Sequence, residues 1–144
     1  MSVTFSALHG RIKTQVETVS GFKISLRPLR PDFDPATLGD KRFAIELDTS
    51  NSGHYRDKAT GSARIDHGVT IRFLRRLPPK GQHTRYTDAL DNEVAIIRAM
   101  MAQTGAWQED LRILYTSSGR EILPGGEWLL STLSFSIAHD LALA

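Results

Sequence analysis

Apolar residues along this chain recur at two different spacings, and the switches between them mark out the elements. Phe5, Leu8, Ile12, Val16 and Val19 step by three or four positions, one stripe of an amphipathic helix that Gly21 can terminate. Phe22, Ile24 and Leu26 then alternate as a short strand, before Pro28, Pro31 and Pro35 interrupt regular hydrogen bonding and impose an extended connection. A second strand, "KRFAIELD", points Phe43, Ile45 and Leu47 inward. The run "TSNSGHYRDKATGS", Thr49 to Ser62, is polar and rich in Gly and Ser, has no apolar period, and reads as a protruding hairpin loop.

The longest strand follows. In "ARIDHGVTIRFL" the residues Ile65, His67, Val69, Ile71 and Phe73 share one face, while Arg64, Asp66, Gly68, Thr70, Arg72 and Leu74 share the other. After the proline turn "LPPKGQ", Tyr86, Leu90, Val94, Ile97 and Met101 repeat at helical spacing, with Thr84 or Thr87 available as cap and Gly105 as terminator. Leu111 to Ser117 and "EWLLSTLSFSIAHDLAL" read as two closing strands, the second with Leu129, Leu133, Phe135 and Ile137 on one face and Thr132, Ser134 and Ser136 on the other. "SSGREILPGGE" joins them as a long hairpin whose glycines make the turn.

No alternating strand–helix pattern of the parallel-sheet kind is present. The order predicts one α+β domain over residues 1–144, a mostly antiparallel β-sheet with two main α-helices packed on one face, and a Ser/Thr/Arg-rich face left for solvent or a neighbour. A chain of 144 residues is long enough for a single core that buries roughly 70% of its unfolded surface. With 40% hydrophobic and 24% charged residues, the composition is that of an ordinary globular domain.

Charge changes the picture more than composition does. Residues 1–80 carry 14 Lys and Arg against 8 Asp and Glu, and residues 81–144 carry 4 against 8, so a net +2 hides halves of +6 and −4. Opposite halves suit pairing within one chain or head-to-tail contact between identical chains. The opening "MSVTFSALHGRIKTQ" lacks the apolar h-region of a secretory signal, and helix one carries only Arg11 and Lys13 as basic residues with no Trp on its apolar face. The expectation is a soluble protein made in the cytoplasm and not bound to membranes.

Candidate chemistry is sparse. With zero cysteines, disulfides, thiolate zinc sites and cysteine nucleophiles are excluded. His9, His54, His67, His83 and His139 are scattered without metal-ligand spacing, and Asp66 and His67 occupy adjacent strand positions that point to opposite faces, which makes His67 a core histidine. There is no GxSxG elbow, and the glycines of "GREILPGGEW" lack a phosphate-loop lysine. Asp91 with Glu93, and Glu109 with Asp110, read as solvated charge. No catalytic, metal or cofactor residue is therefore expected. Arg72, Arg75, Arg76, Lys80 and Arg85 make a basic cluster without interleaved aromatics, which leaves backbone contact to nucleic acid open as the work of a small binding module.

The succession of an amphipathic first helix, two strands, a long polar segment, an Arg-bearing strand ending at "RRLPPKG", the helix "YTDALDNEVAIIRAMMAQ" and the closing "WLLSTLSFSIAHDLAL" resembles the tail terminator proteins of long-tailed bacteriophages and phage-tail-like particles. The resemblance covers almost the whole chain and rests on the pattern of elements. It implies a structural virion protein in the tail or neck, assembled in the host cytoplasm, forming a homohexameric ring on the head-proximal end of the tail tube that stops tube polymerisation and joins tail to head. It implies as partners the chain itself, the tube protein and a head–tail connector or stopper, with DNA passing through the lumen without sequence-specific binding. Arg64, Arg72, Arg75, Arg76 and Lys80 would then line the subunit or ring interface, or the DNA channel, and His54, Tyr55, Arg56 and Lys58 would contact the tube or neck. Other neck proteins, stoppers and adaptors, share this size and composition.

Overall fold

The computed structural model describes residues 3–25, 34–57, 62–102 and 106–142. Thr4 caps the first helix, α1 (Phe5–Val16), by accepting a hydrogen bond from the backbone N–H of Ala7, and the chain leaves α1 through Gly21 at φ 82°. Strand β1 (Lys23–Ile24) and the short helix α2 (Pro35–Leu38, capped by Asp34) precede β2 (Arg42–Asp57) and β3 (Ser62–Arg76). Helix α3 (Gln82–Met101) and a 3₁₀ turn (Ala106–Gln108) lead to β4 (Arg112–Ile122) and β5 (Trp128–Ala142).

The strands form one five-stranded sheet in the order β1-β2-β3-β5-β4, antiparallel throughout except for the β1–β2 pair. This is the α+β architecture that the alternation predicts. Leu8, Ile12 and Val16 of α1 and Ile96 and Met100 of α3 pack into one core with Phe43, Ile45, Val69, Ile71, Phe73, Leu133, Phe135 and Ile137. Burying such side chains contributes about 1.5–3 kcal/mol each, so this one face carries most of the stabilisation.

Four local expectations are corrected. First, α3 is rotated by one residue relative to the predicted stripe: Ala89, Glu93, Ile96 and Met100 are buried, while Val94 is 46% and Met101 37% exposed. The reason is Glu93, which the pattern assigns to water. Arg120 donates to both of its carboxylate oxygens, at 2.9 and 2.7 Å, and Ser131 Oγ donates at 3.2 Å, so the charge is satisfied inside. Second, α3 begins at Gly81 in the left-handed region (φ 77°, ψ 26°) without a side-chain cap, and Thr84 and Thr87 lie within the helix. Gly105 lies outside the described residues.

Third, β4 continues beyond Ser117 to Ile122, and the turn is confined to 123–127. Gly125 and Gly126 take φ 95° and 73° there, and Leu123 N donates to Trp128 O at 2.9 Å. Fourth, Leu74 does not face solvent. It is buried on the face opposite the helices with Ala44, under Leu38, Leu123, Trp128 and Leu130, because α2 folds across that end of the sheet.

The phase of α3 gives a direct check. Val94→Lys should change the stability measured by urea denaturation by less than about 0.5 kcal/mol, whereas Ile96→Ala should lower it by about 2–5 kcal/mol. The opposite ranking would restore the predicted stripe.

Candidate interaction surface

A strand buried on one side presents its alternate residues on the other, and β3 places Arg64, Asp66, Gly68, Thr70 and Arg72 on the face away from the helices. Ladder register extends this face to Thr132, Ser134 and Ser136 of β5 and to Glu46 and Thr49 of β2. Small side chains make it flat. A Cβ on Gly68 would approach Thr49 Oγ1 to 3.1 Å, so glycine lets β2 and β3 keep their register beside the bulge between Leu47 and Thr49. Arg72 Nη1 meets Glu46 Oε2 at 2.5 Å, and Thr70 donates its hydroxyl to Asp48, which leaves charges of both signs paired across the surface. Arg64 is half-buried and stands opposite Asp140 in the β3–β5 register.

The remaining basic residues do not join them. Arg75 shares the parity of Phe73 and points toward the helical side; it is 5% exposed, donates Nε to Asp40 Oδ1 at 3.0 Å and donates Nη1 to Asn92 of α3. Asp40 also accepts from the backbone N–H of Arg76 at 2.9 Å and from Arg85 Nη1 at 3.5 Å. This carboxylate thus gathers the end of β3 and the start of α3. The expectation that Arg75 lines an interface or channel is corrected: its charge is consumed inside the fold, since a buried guanidinium without its partners would be costly. Arg76 and Lys80 are exposed at the end of β3 and in the turn that follows. Arg64 and Arg72 lie on the sheet face, and Arg76 and Lys80 at its end, so the sequence cluster divides into two surfaces around one buried member.

The segment from Thr49 to Ser62 is also altered. β2 continues as strand to Asp57 and β3 starts at Ser62, with Arg56 opposite Ala63 and Asp57 opposite Ser62. A polar sequence can hold a strand because the ladder uses backbone groups, whatever the side chains are. The side chains of His54, Tyr55 and Arg56, and Lys58 altogether, lie outside the described residues.

One constellation has no counterpart in the sequence pattern. His67 and His139, 72 positions apart, stack at 4.8 Å with Nε2 atoms 2.7 Å from each other, and each is 1% exposed. His67 is the satisfied core histidine its parity predicts, and Asp66 is exposed on the other face. Burial, reinforced by the neighbouring His139, holds its pKa below the usual histidine value, against a smaller opposing pull from Asp66. Among the described residues no three His, Asp or Glu side chains converge as metal ligands, and no helix is long and apolar enough to cross a membrane.

Compared with models of known families and with curated proteins, the chain matches none.

Asp40 is the residue on which the division of the arginines depends. Asp40→Ala should lower stability by about 2 kcal/mol in urea denaturation, because Arg75 keeps only Asn92 as partner. An unchanged midpoint would show that the node is incidental.

Proposed function

We propose that this protein is a structural assembly component, a tail-terminator-type ring subunit that caps the head-proximal end of a phage-type tail tube, stops its growth and joins tail to head. One observation carries this reading. The described ion pairs stay within the basic half, as Lys13–Glu17, Arg72–Glu46 and Arg75–Asp40, or within the acidic half, as Arg120–Glu93, apart from Arg85 with Asp40. Among the described residues, the ion pairs thus draw mostly on charge within one half, and the +6 and −4 asymmetry of the chain suits a head-to-tail contact between copies of the kind that can close into a ring.

The flat face of β3 and β5 supports the same reading. Its hydroxyls and its Arg72–Glu46 pair offer polar contact without a dense positive lining, the kind of surface past which DNA slides under weak, salt-screened attraction. The partners on this reading are other copies of the chain, the tube protein and a connector or stopper, and the protein is not an enzyme.

The test is to add purified protein to polymerising tube protein and image tube ends by electron microscopy. A ring of density at one end with arrested tube length is the expected result. Bare ends with unchanged growth would overturn the reading. Salt-sensitive DNA binding abolished by charge reversal at Arg64 and Arg76 would then favour a nucleic-acid-binding module.

A further inference from the structure

The buried histidine pair admits one assignment of its protons. A backbone carbonyl only accepts, so His139 Nδ1, 2.9 Å from the carbonyl oxygen of Asp140, carries a proton and donates it there. In a neutral imidazole the other nitrogen is then bare, and His139 Nε2 accepts from His67 Nε2–H at 2.7 Å. That leaves His67 Nδ1 bare, and it accepts from the hydroxyl of Ser50 at 2.8 Å. Every member of the chain is satisfied in one direction, from β2 through β3 to β5, with both rings neutral.

A further proton has no comfortable place. On His139 Nε2 it would set two N–H donors against each other at the same 2.7 Å. On His67 Nδ1 it would turn Ser50 into an acceptor and place a cation, buried at 1% exposure, against the stacked ring of His139 and beside the perpendicular ring of Phe5 of α1, at 4.9 Å and 84°. Among the described residues, the charged groups beside the pair in the β3–β5 ladder are Asp66, whose field favours the cation, and the register pair Arg64 and Asp140, which oppose each other in sign. From α1 comes an uncharged ring and from β2 an uncharged hydroxyl. Desolvation is the largest influence on His67, so in the folded state this ring stays neutral below the usual histidine range.

The same place ties down several segments. Ser50 lies on β2 before its bulge between Ser52 and Arg56; Phe5 opens α1; and Val3 N donates to Asp140 O at 2.8 Å, next to His139. We infer that Ser50, His67 and His139 form an acid-sensitive latch, which holds β2 around Ser50 and the entry to α1 against β3 and β5 at neutral pH and releases both when His67 is protonated. The inference does not depend on the tube-capping reading.

The direction follows from linkage. In the opened state His67 titrates near the ordinary histidine value of about 6.5, and in the closed state it titrates lower. The latch is therefore fully effective above the ordinary value and weakens as pH falls below it. Its opening constant rises about tenfold per pH unit for each proton taken up, until the closed-state value is reached.

Nuclear magnetic resonance of the whole chain, titrated from about pH 7.5 to 5, tests this. At neutral pH the ring nitrogens should show His67 protonated on Nε2 and His139 on Nδ1. On acidification the amides of residues 3–5, 50–52, 62–67 and 137–142 should exchange and shift with the same midpoint as the rings, while those of 89–100 stay fixed. The double variant His67→Leu/His139→Leu keeps the site apolar and should lose the local response. The opposite tautomers, melting of all amides together, a rigid β2 around Ser50 at pH 5, or an unchanged acid response in the double variant would each overturn the latch. Should the double variant not fold, the titration of the unaltered chain decides alone.

Discussion

Pairing of β3 with β5 is the constraint on which the rest of the structure depends. The two strands run antiparallel in register along the whole of β3, from Ser62 opposite Ala142 to Arg76 opposite Trp128, and they occupy the middle of the sheet. Because side chains alternate, this single register decides at once which residues meet the helices and which form the open face. A slip of one residue would send Ile65, Val69, Ile71 and Phe73 into solvent and bring Arg64, Asp66 and Arg72 under α1 and α3. The energetic gap between those arrangements is what makes the flat polar face a reliable product of the sequence.

Two buried polar clamps refine what the register sets. Glu93 with Arg120 and Ser131 fixes the rotation of α3 over β4 and β5, and Arg75 with Asp40 and Asn92 fixes the middle of α3 over the end of β3. Pairs of this kind contribute little net stability compared with apolar packing, but each carries a heavy penalty if half-made. They therefore select one placement of the helix among several that the apolar stripe alone would tolerate. The charge they consume is local, each pair joining residues of the same half of the chain.

Legibility in the sequence tracked how local the determining interaction is. The alternation of β3 and the buried stripe Leu8, Ile12 and Val16 of α1 depend on residues within a few positions of one another, and both were readable, whereas Phe5 is 40% exposed and Val19 lies beyond the end of the helix. The inward direction of Arg75 was missed: it has the parity of Phe73, but the proline turn beside it suggested a surface role. The phase of α3 was not readable, because the burial of Glu93 depends on Arg120, 27 residues later on another strand. The extension of β2 to Asp57 was hidden for a different reason: its polar side chains carry no period, while the ladder that defines it is made by the backbone. The two histidines could not be joined by spacing at all, since only the β3–β5 register makes them diagonal neighbours.

The division of the sheet into a sealed face and an open one can be measured without a background signal, because the chain has no cysteine of its own. Single cysteines placed along β3 should react with a maleimide in alternation. Those at 64, 66, 72 and 76 should react readily, and those at 65, 67, 69, 71, 73 and 75 slowly, with position 75 as protected as position 73. Uniform labelling along the strand, or a cysteine at 75 that reacts as fast as one at 76, would contradict the account.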